Sequence, residues 1–203
     1  MKTEINAQTV KKLRDQTGAG MMNCKKALED NNGDFEKAVE ALRLKGMATA
    51  DKKASRNTNE GIIYSYIHTG NKLGILVEVN CETDFVARRE EFTDLAKNIA
   101  MQIASNPEIQ VISTNDIPES VKEKAIQFES AKDDLKNKPE EIRNKIVEGR
   151  VDKSLKKQVL LEQEYIRDPN VTVNEYLKQV IGVLGENIQI TRFVRYVLGE
   201  TAQ

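Results

Sequence analysis

Two short apolar alternations, set among helical periodicity, do most to limit what this 203-residue chain can fold into. Ile62, Tyr64 and Tyr66 interleave with Ile63, Ser65 and Ile67. After Thr69-Gly70-Asn71, residues Leu73, Ile75, Val77, Val79 and Cys81 fall on one face. A period of two sends alternate side chains to opposite faces, so the segment reads as a hairpin with both strands partly buried. A third alternation, Asn187 to Leu198, comes only near the C-terminal end. Three strands make a small sheet that must bury a face against helices. The expected class is α+β, an antiparallel three-stranded sheet packed with helices.

Ahead of the hairpin, residues 1–46 read as a three-helix head. Val10 and Leu13 make one apolar face, stopped by Thr17-Gly18-Ala19-Gly20. Cys24, Ala27 and Leu28 make the next, ended by Asn31-Asn32-Gly33. Asp34 can cap a third helix, with Phe35, Ala38, Val39 and Leu42 on one face and Gly46 as its stop. So small a unit buries little area and is expected to be marginal alone. Residues 47–60, polar and rich in Lys, Ala and Asn, read as a linker whose beginning can continue a helix.

Residues 61–203 form the core. An amphipathic helix from about Glu90 to Ala104 turns Phe92, Leu95, Ala96, Ile99 and Ile103 inward. Pro118 and Pro139 each open a long, charged helical stretch. Val121, Ala125, Phe128 and Leu135 make the first apolar seam, and Ile142, Ile146 and Val151 the second. Seams so narrow predict a protruding antiparallel helical hairpin over about 118–158. Asp168-Pro169-Asn170 reads as a turn. Thr172 with Glu175 reads as a capping box, opening a helix of Tyr176, Leu177, Val180, Ile181 and Leu184 that Gly185 ends.

Charge and cysteine usage narrow the function. Thirty-one Lys plus Arg against 32 Asp plus Glu leave a net charge of -1. Phosphate-driven binding rests on a basic excess, so no direct nucleic-acid partner is expected. No run approaches the roughly 18 apolar residues that span a bilayer. Met1-Lys2-Thr3-Glu4-Ile5-Asn6 has neither an apolar signal core nor the composition of a transit peptide. The two cysteines, Cys24 and Cys81, lie far apart, which suits a reducing compartment and no zinc site. One histidine cannot build a multi-histidine metal centre, and no phosphate-cradling or dinucleotide motif is present. His68 with Cys81 could form a nucleophile–base pair, but Cys81 continues the apolar alternation of its strand and reads as a buried structural thiol. Neither enzyme activity nor a cofactor or metal is expected.

Two loops mix polar and apolar residues. Adjacent Met21 and Met22 cannot both face one core, so one is expected inside and one exposed, where a deformable thioether suits a partner surface. Asp84-Phe85 follows the second strand. Periodicity alone favours Asp84 as a cap and Phe85 packed under the next helix; the alternative is a protruding acidic-aromatic wedge.

These same loops carry a resemblance. Thr17-Gly18-Ala19-Gly20-Met21-Met22 followed by Cys24-Lys25-Lys26-Ala27-Leu28 resembles the N-terminal signature of the elongation factor Ts family. Val79-Asn80-Cys81-Glu82-Thr83-Asp84-Phe85-Val86-Ala87-Arg88 resembles its second signature. Val147-Glu148-Gly149-Arg150 and Gly185-Glu186-Asn187-Ile188 match later landmarks in the same order. The resemblance implies a guanine-nucleotide exchange factor for elongation factor Tu, the GTPase that brings aminoacyl-tRNA to the ribosome. It implies a ubiquitin-associated-like head that docks on the GTPase domain through Leu13, Arg14, Thr17, Gly18, Met21 and Met22. It implies that Thr83, Asp84, Phe85 and Val86 dislodge the partner's Mg²⁺, with Asp84 and Phe85 foremost, which reverses the periodicity reading of Phe85.

Long members of the family carry two related core subdomains. This chain shows one, is similar to the short form, and is expected to form a homodimer whose paired sheets rebuild the double core. Bacterial cytoplasm or, for an organelle-encoded copy, plastid stroma would suit it. Two rival readings stand beside this: a peptide-binding adaptor using the head, which leaves the second motif unused, and a Cys81–His68 hydrolase, which uses neither motif.

Overall fold

The computed structural model describes residues 5–136 and 138–200; Met1 to Glu4, part of the stretch read for a leader, lie outside the described residues. Helices α1 (Ala7–Thr17), α2 (Met21–Asp30) and α3 (Phe35–Lys53) come first. Strands β1 (Glu60–Ile67) and β2 (Leu73–Cys81), helices α4 (Asp84–Ala87), α5 (Glu90–Ser105), α6 (Glu119–Ser130) and α7 (Glu140–Lys156) follow. Strands β3 (Glu164–Tyr165) and β4 (Asp168–Thr172), helix α8 (Val173–Leu184) and strand β5 (Ile188–Val197) complete the chain. The class is α+β, with an antiparallel sheet in the order β1-β2-β5. Backbone proximity divides the chain into two units, residues 1–64, 77–98 and 175–191 against 65–76, 99–174 and 192–203.

In the first unit the head follows its local signals. The Asn6 side chain accepts the Thr9 N–H at 2.7 Å and starts α1, and Gly18 ends it in the left-handed conformation, φ 66°. Asp34 caps α3 by accepting the Lys37 N–H at 3.1 Å. Val10, Leu13, Cys24, Ala27, Leu28, Ala38 and Leu42 form the core between the three helices.

Gly46 does not stop α3, which continues to Lys53 through the start of the stretch read as a linker. The glycine serves a crossing instead: a Cβ on Gly182 of α8 would lie 2.8 Å from the Gly46 Cα. Arg43 with Glu175 at 3.4 Å and Lys178 with Asp51 at 2.7 Å join the same two helices. The Lys53 ammonium donates to the carbonyl of Gly185, just past the end of α8.

The expected inward faces of β2 and α5 are present, with Leu73 half-buried at the start of β2. Ile75, Val77, Val79 and Cys81 are all buried along β2, and so are Phe92, Leu95, Ala96, Ile99 and Ile103 of α5. In the second unit the β1–β2 turn closes with the His68 N–H on the Leu73 carbonyl at 2.9 Å, using Gly70 at φ 91° and Asn71 at φ 57°. Arg195 of β5 donates to the carbonyls of Ile103, Asn106 and Pro107, so a cation completes the C-terminal end of α5. Burial pushes the Arg195 pKa down.

Helices α6 and α7 pair around Ile117, Leu135, Val147, Val151, Leu155 and Val159, giving the expected helical hairpin. Its seam differs from the sequence reading, because Phe128 and Ile142 are exposed. The α6 seam steps by four, from Val121 to Ala125 to Glu129, which turns Phe128 outward with the Lys132 ammonium 5.1 Å from its ring centre. Glu129 is only 8% exposed; its Oε1 takes Lys132 at 2.7 Å, and Arg150 lies 3.8 Å from its Oε2 while gripping Asp134 at 2.6 Å. The α7 seam of Val147, Val151 and Leu155 leaves Ile142 off its line.

Asp168-Pro169-Asn170 is not a turn but part of β4, which pairs with β3 through Glu164↔Thr172 and Tyr165↔Asp168 across an irregularity. Residues 166–167 make the turn. Pro169 is tolerated because a two-stranded ladder leaves N–H positions facing outward.

Candidate partner-binding surface

The loop after β2 is shaped by hydrogen bonds at its base. Thr83 caps α4, its hydroxyl accepting the Val86 N–H at 3.5 Å. The cap is therefore Thr83, with Asp84 in the first turn. Val86 and Ala87 are buried, and one turn of helix cannot bury three consecutive side chains on a single face. Phe85 consequently points outward and is 78% exposed, against the periodicity reading that packed it under the helix. Asp84 stands beside it, half-buried, its carboxylate 2.8 Å from the guanidinium of exposed Arg88.

Beneath this turn, two stretches of chain hold one another. The Glu186 carboxylate accepts the N–H groups of Glu82 and Thr83 at 3.1 and 3.0 Å and the Thr83 hydroxyl at 2.6 Å. In return, Glu82 Oε1 accepts the Asn187 N–H at 2.6 Å. That bond, and then the charge of Arg56, holds the Glu82 carboxyl below its ordinary value of 4.5. A depressed carboxyl contributes stability that is present above its unfolded pKa and lost as pH falls through the folded one. Thermal unfolding temperature is therefore expected to fall as pH drops below about 4.5, with Glu82→Gln showing a shallower acid limb in a calorimetric pH series. The sequence alone assigns Glu82 no role: it lies within the second signature, as Glu186 lies within a later landmark, but the two are 104 positions apart and no local pattern joins them.

On the head, Met21 and Met22 are both outside the core, 44% and 77% exposed, so neither fills the inward place expected for one of them. They occupy the first turn of α2, ahead of its buried face of Cys24, Ala27 and Leu28. Arg14 is exposed in the last turn of α1. Thr17 shapes the loop between them, donating to the Leu13 carbonyl at 2.7 Å and accepting the Ala19 N–H at 3.3 Å. A Cβ on Gly18 would lie 3.2 Å from Val183 of α8, which together with its positive φ calls for glycine. Leu13 is wholly buried, so its side chain supports this surface from below and presents nothing to a partner.

The residues of the hydrolase reading each have structural partners. The Cys81 thiol is buried, donates to the Thr83 carbonyl at 3.1 Å, and is pushed up to about 11 by burial and then by the charge of Glu186. It therefore stays protonated near neutral pH, the form that does not attack. His68 is exposed and its Nδ1 lies 2.9 Å from the Tyr66 hydroxyl. Among the described residues, no group of three or more His, Cys, Asp or Glu is placed to hold a metal ion, and no helix is long and apolar enough to cross a membrane.

Comparison with known proteins agrees with the two motif-bearing loops. The model of the family described as Elongation factor TS matches residues 2–200. A protein of Phaeodactylum tricornutum named elongation factor Ts, chloroplastic, is 78% identical over 200 residues, covering 98% of this chain and 99% of that one. The protein of the same name from Rhodomonas salina is 61% identical, covering 98% and 91% of the two chains. Elongation factor Ts of Rippkaea orientalis is 59% identical over 197 residues, covering 97% and 79%. With a match over nearly its whole length and identities this high, the chain belongs to the elongation factor Ts family of translation elongation factors.

Proposed function

We propose that the chain is a guanine-nucleotide exchange factor for elongation factor Tu, acting without covalent chemistry or a cofactor of its own. The observation that carries this reading is Phe85, a large aromatic residue 78% exposed on a turn whose neighbours Val86 and Ala87 are anchored in the core. Exposed aromatics on fixed supports are what interface hot spots are made of.

The head, through Arg14, Met21 and Met22, docks on the GTPase domain, with Thr17 and Gly18 setting the loop and Leu13 its support. Thr83, Asp84, Phe85 and Val86 then press on the partner's nucleotide site. GDP is held there through its phosphates, by backbone amides, a lysine and Mg²⁺. Phe85 displaces packed elements and Asp84 disturbs the ion's surroundings. The released nucleotide is replaced by GTP through abundance. Coupling of this kind is reciprocal: the factor weakens GDP by as much as GDP weakens the factor. Calorimetric titration tests it, since elongation factor Tu loaded with GDP should bind the chain more weakly than the nucleotide-free form. Equal affinity for the two would contradict exchange.

The acting form is a homodimer. Ile67, Leu76, Val194, Tyr196 and Leu198 are all exposed, with Leu76 lying between buried Ile75 and Val77 and alternating with them along β2. Exposed apolar residues of this size, carried on or beside the neighbouring strands β1, β2 and β5, favour a protein contact. Light scattering at micromolar concentration should give twice the chain mass, and paired Leu76→Lys and Tyr196→Lys substitutions should halve it. An unsubstituted chain that is monomeric yet accelerates GDP release would overturn the dimer. Relatives named chloroplastic, alongside bacterial ones, support work in plastid stroma or bacterial cytoplasm.

A further inference from the structure

We propose that Glu186 is the positioning residue for the Phe85 wedge, a role that rests on the exchange reading above. The four residues of α4 make too few internal hydrogen bonds to hold their own direction, because helix nucleation is unfavourable. Their orientation must come from the base, and there one carboxylate holds three donors. Glu186 Oε2 takes the N–H groups of both Glu82 and Thr83, and its Oε1 takes the hydroxyl of the residue that caps α4.

The platform is itself fixed. Next to Glu186, the Asn187 N–H is held by Glu82, and its side-chain amide donates to the carbonyls of Ala54 at 3.3 Å and Arg56 at 2.8 Å, just beyond α3. Direction therefore passes from the end of α3 through 186–187 to 82–83 and on to the wedge. Without the Glu186 carboxylate, two backbone donors and the capping hydroxyl lose their partner. Phe85 would then have to be ordered at the moment of contact, which weakens its push without touching the head.

The test uses Glu186→Ala, Glu186→Gln and Thr83→Val in the full chain, with two readouts. In the free chain, amide hydrogen exchange at Glu82 and Thr83 should quicken about tenfold in Glu186→Ala. In the assay with elongation factor Tu, the GDP release rate at saturating chain should fall by about tenfold, with the half-saturating concentration within about twofold of the unsubstituted value. Glu186→Gln should restore both, since a carboxamide oxygen can accept the two amides while its NH₂ donates to the Thr83 hydroxyl. Thr83→Val, which keeps the two backbone bonds, should lower the maximal rate with little change in amide exchange at Glu82; it serves if Glu186→Ala does not fold. Unchanged amide exchange in Glu186→Ala, an unchanged maximal rate in Glu186→Ala or Thr83→Val, or a glutamine variant as impaired as the alanine one overturns the assignment. If the unsubstituted chain does not speed GDP release, the exchange reading fails instead, and amide exchange then reports on the clasp alone.

Discussion

Alanine at Phe85 is expected to cut the chain's acceleration of GDP release from elongation factor Tu by about a hundredfold, as loss of a central aromatic anchor does. Thermal unfolding should be unchanged, because a side chain 78% exposed contributes little to the core. The backbone of α4 is held by buried Val86 and Ala87 and by Thr83, all of which the substitution leaves in place. Asp84→Ala should act in the same direction by about tenfold, the loss of one charged contact, its ion pair with Arg88 being too exposed to matter for stability. A stopped-flow assay with fluorescent GDP measures both. The same substitutions separate the rival readings: an adaptor would be damaged only by changes in the head, and a hydrolase only by changes at Cys81 or His68.

Gly182→Ala is expected to lower stability by about 1–3 kcal/mol, the usual range for forced overpacking. The sign is informative. In an open helix position, alanine in place of glycine stabilises by about 0.5–1 kcal/mol. Here the added Cβ would sit 2.8 Å from the Gly46 Cα and 3.4 Å from its carbonyl carbon and oxygen, and backbone cannot swing aside as a side-chain tip can. Gly46→Ala places its Cβ 3.9 Å from Gly182 and should be tolerated. Urea unfolding of the two variants checks the contrast. Because Arg43–Glu175 and Asp51–Lys178 join the same helices, a forced separation at Gly182 strains those pairs as well.

What the sequence made legible follows from how local each signal is. The β1–β2 hairpin, the inward face of α5, the Gly18 stop and the Asp34 cap are each set by residues within a few positions of one another, and all are present. Gly46 misled because glycine at the end of an apolar pattern looks like a stop, whereas its reason lies across the fold at Gly182. Phe128 and Ile142 misled because the hairpin buries Glu129 with Lys132 and Arg150 nearby, and no count of apolar spacing anticipates a buried carboxylate. Strand β4 is short, and β3 shorter still, so neither offers an alternation to detect.

The site divided in the same way. Helix α4 is a single turn, too brief for periodicity to assign Phe85 a face, and only the resemblance of Thr83-Asp84-Phe85-Val86 to a family motif pointed outward. Met21 and Met22 lie before the buried face of α2 begins, which explains why both are exposed. Leu13, carried onto the docking surface by the same resemblance, is in the head core. Glu82 and Glu186 each fall in a stretch that resembles a family landmark, but local pattern carries no sign that the two stretches clasp one another, because the bonds join distant loops.

The most direct test of the account is the dissociation rate of GDP from elongation factor Tu, measured with an excess of competing nucleotide, with and without the chain. The account predicts that release quickens with chain concentration and saturates, and that the Phe85→Ala chain loses most of that effect. A release rate that stays the same at every concentration of folded chain would contradict it.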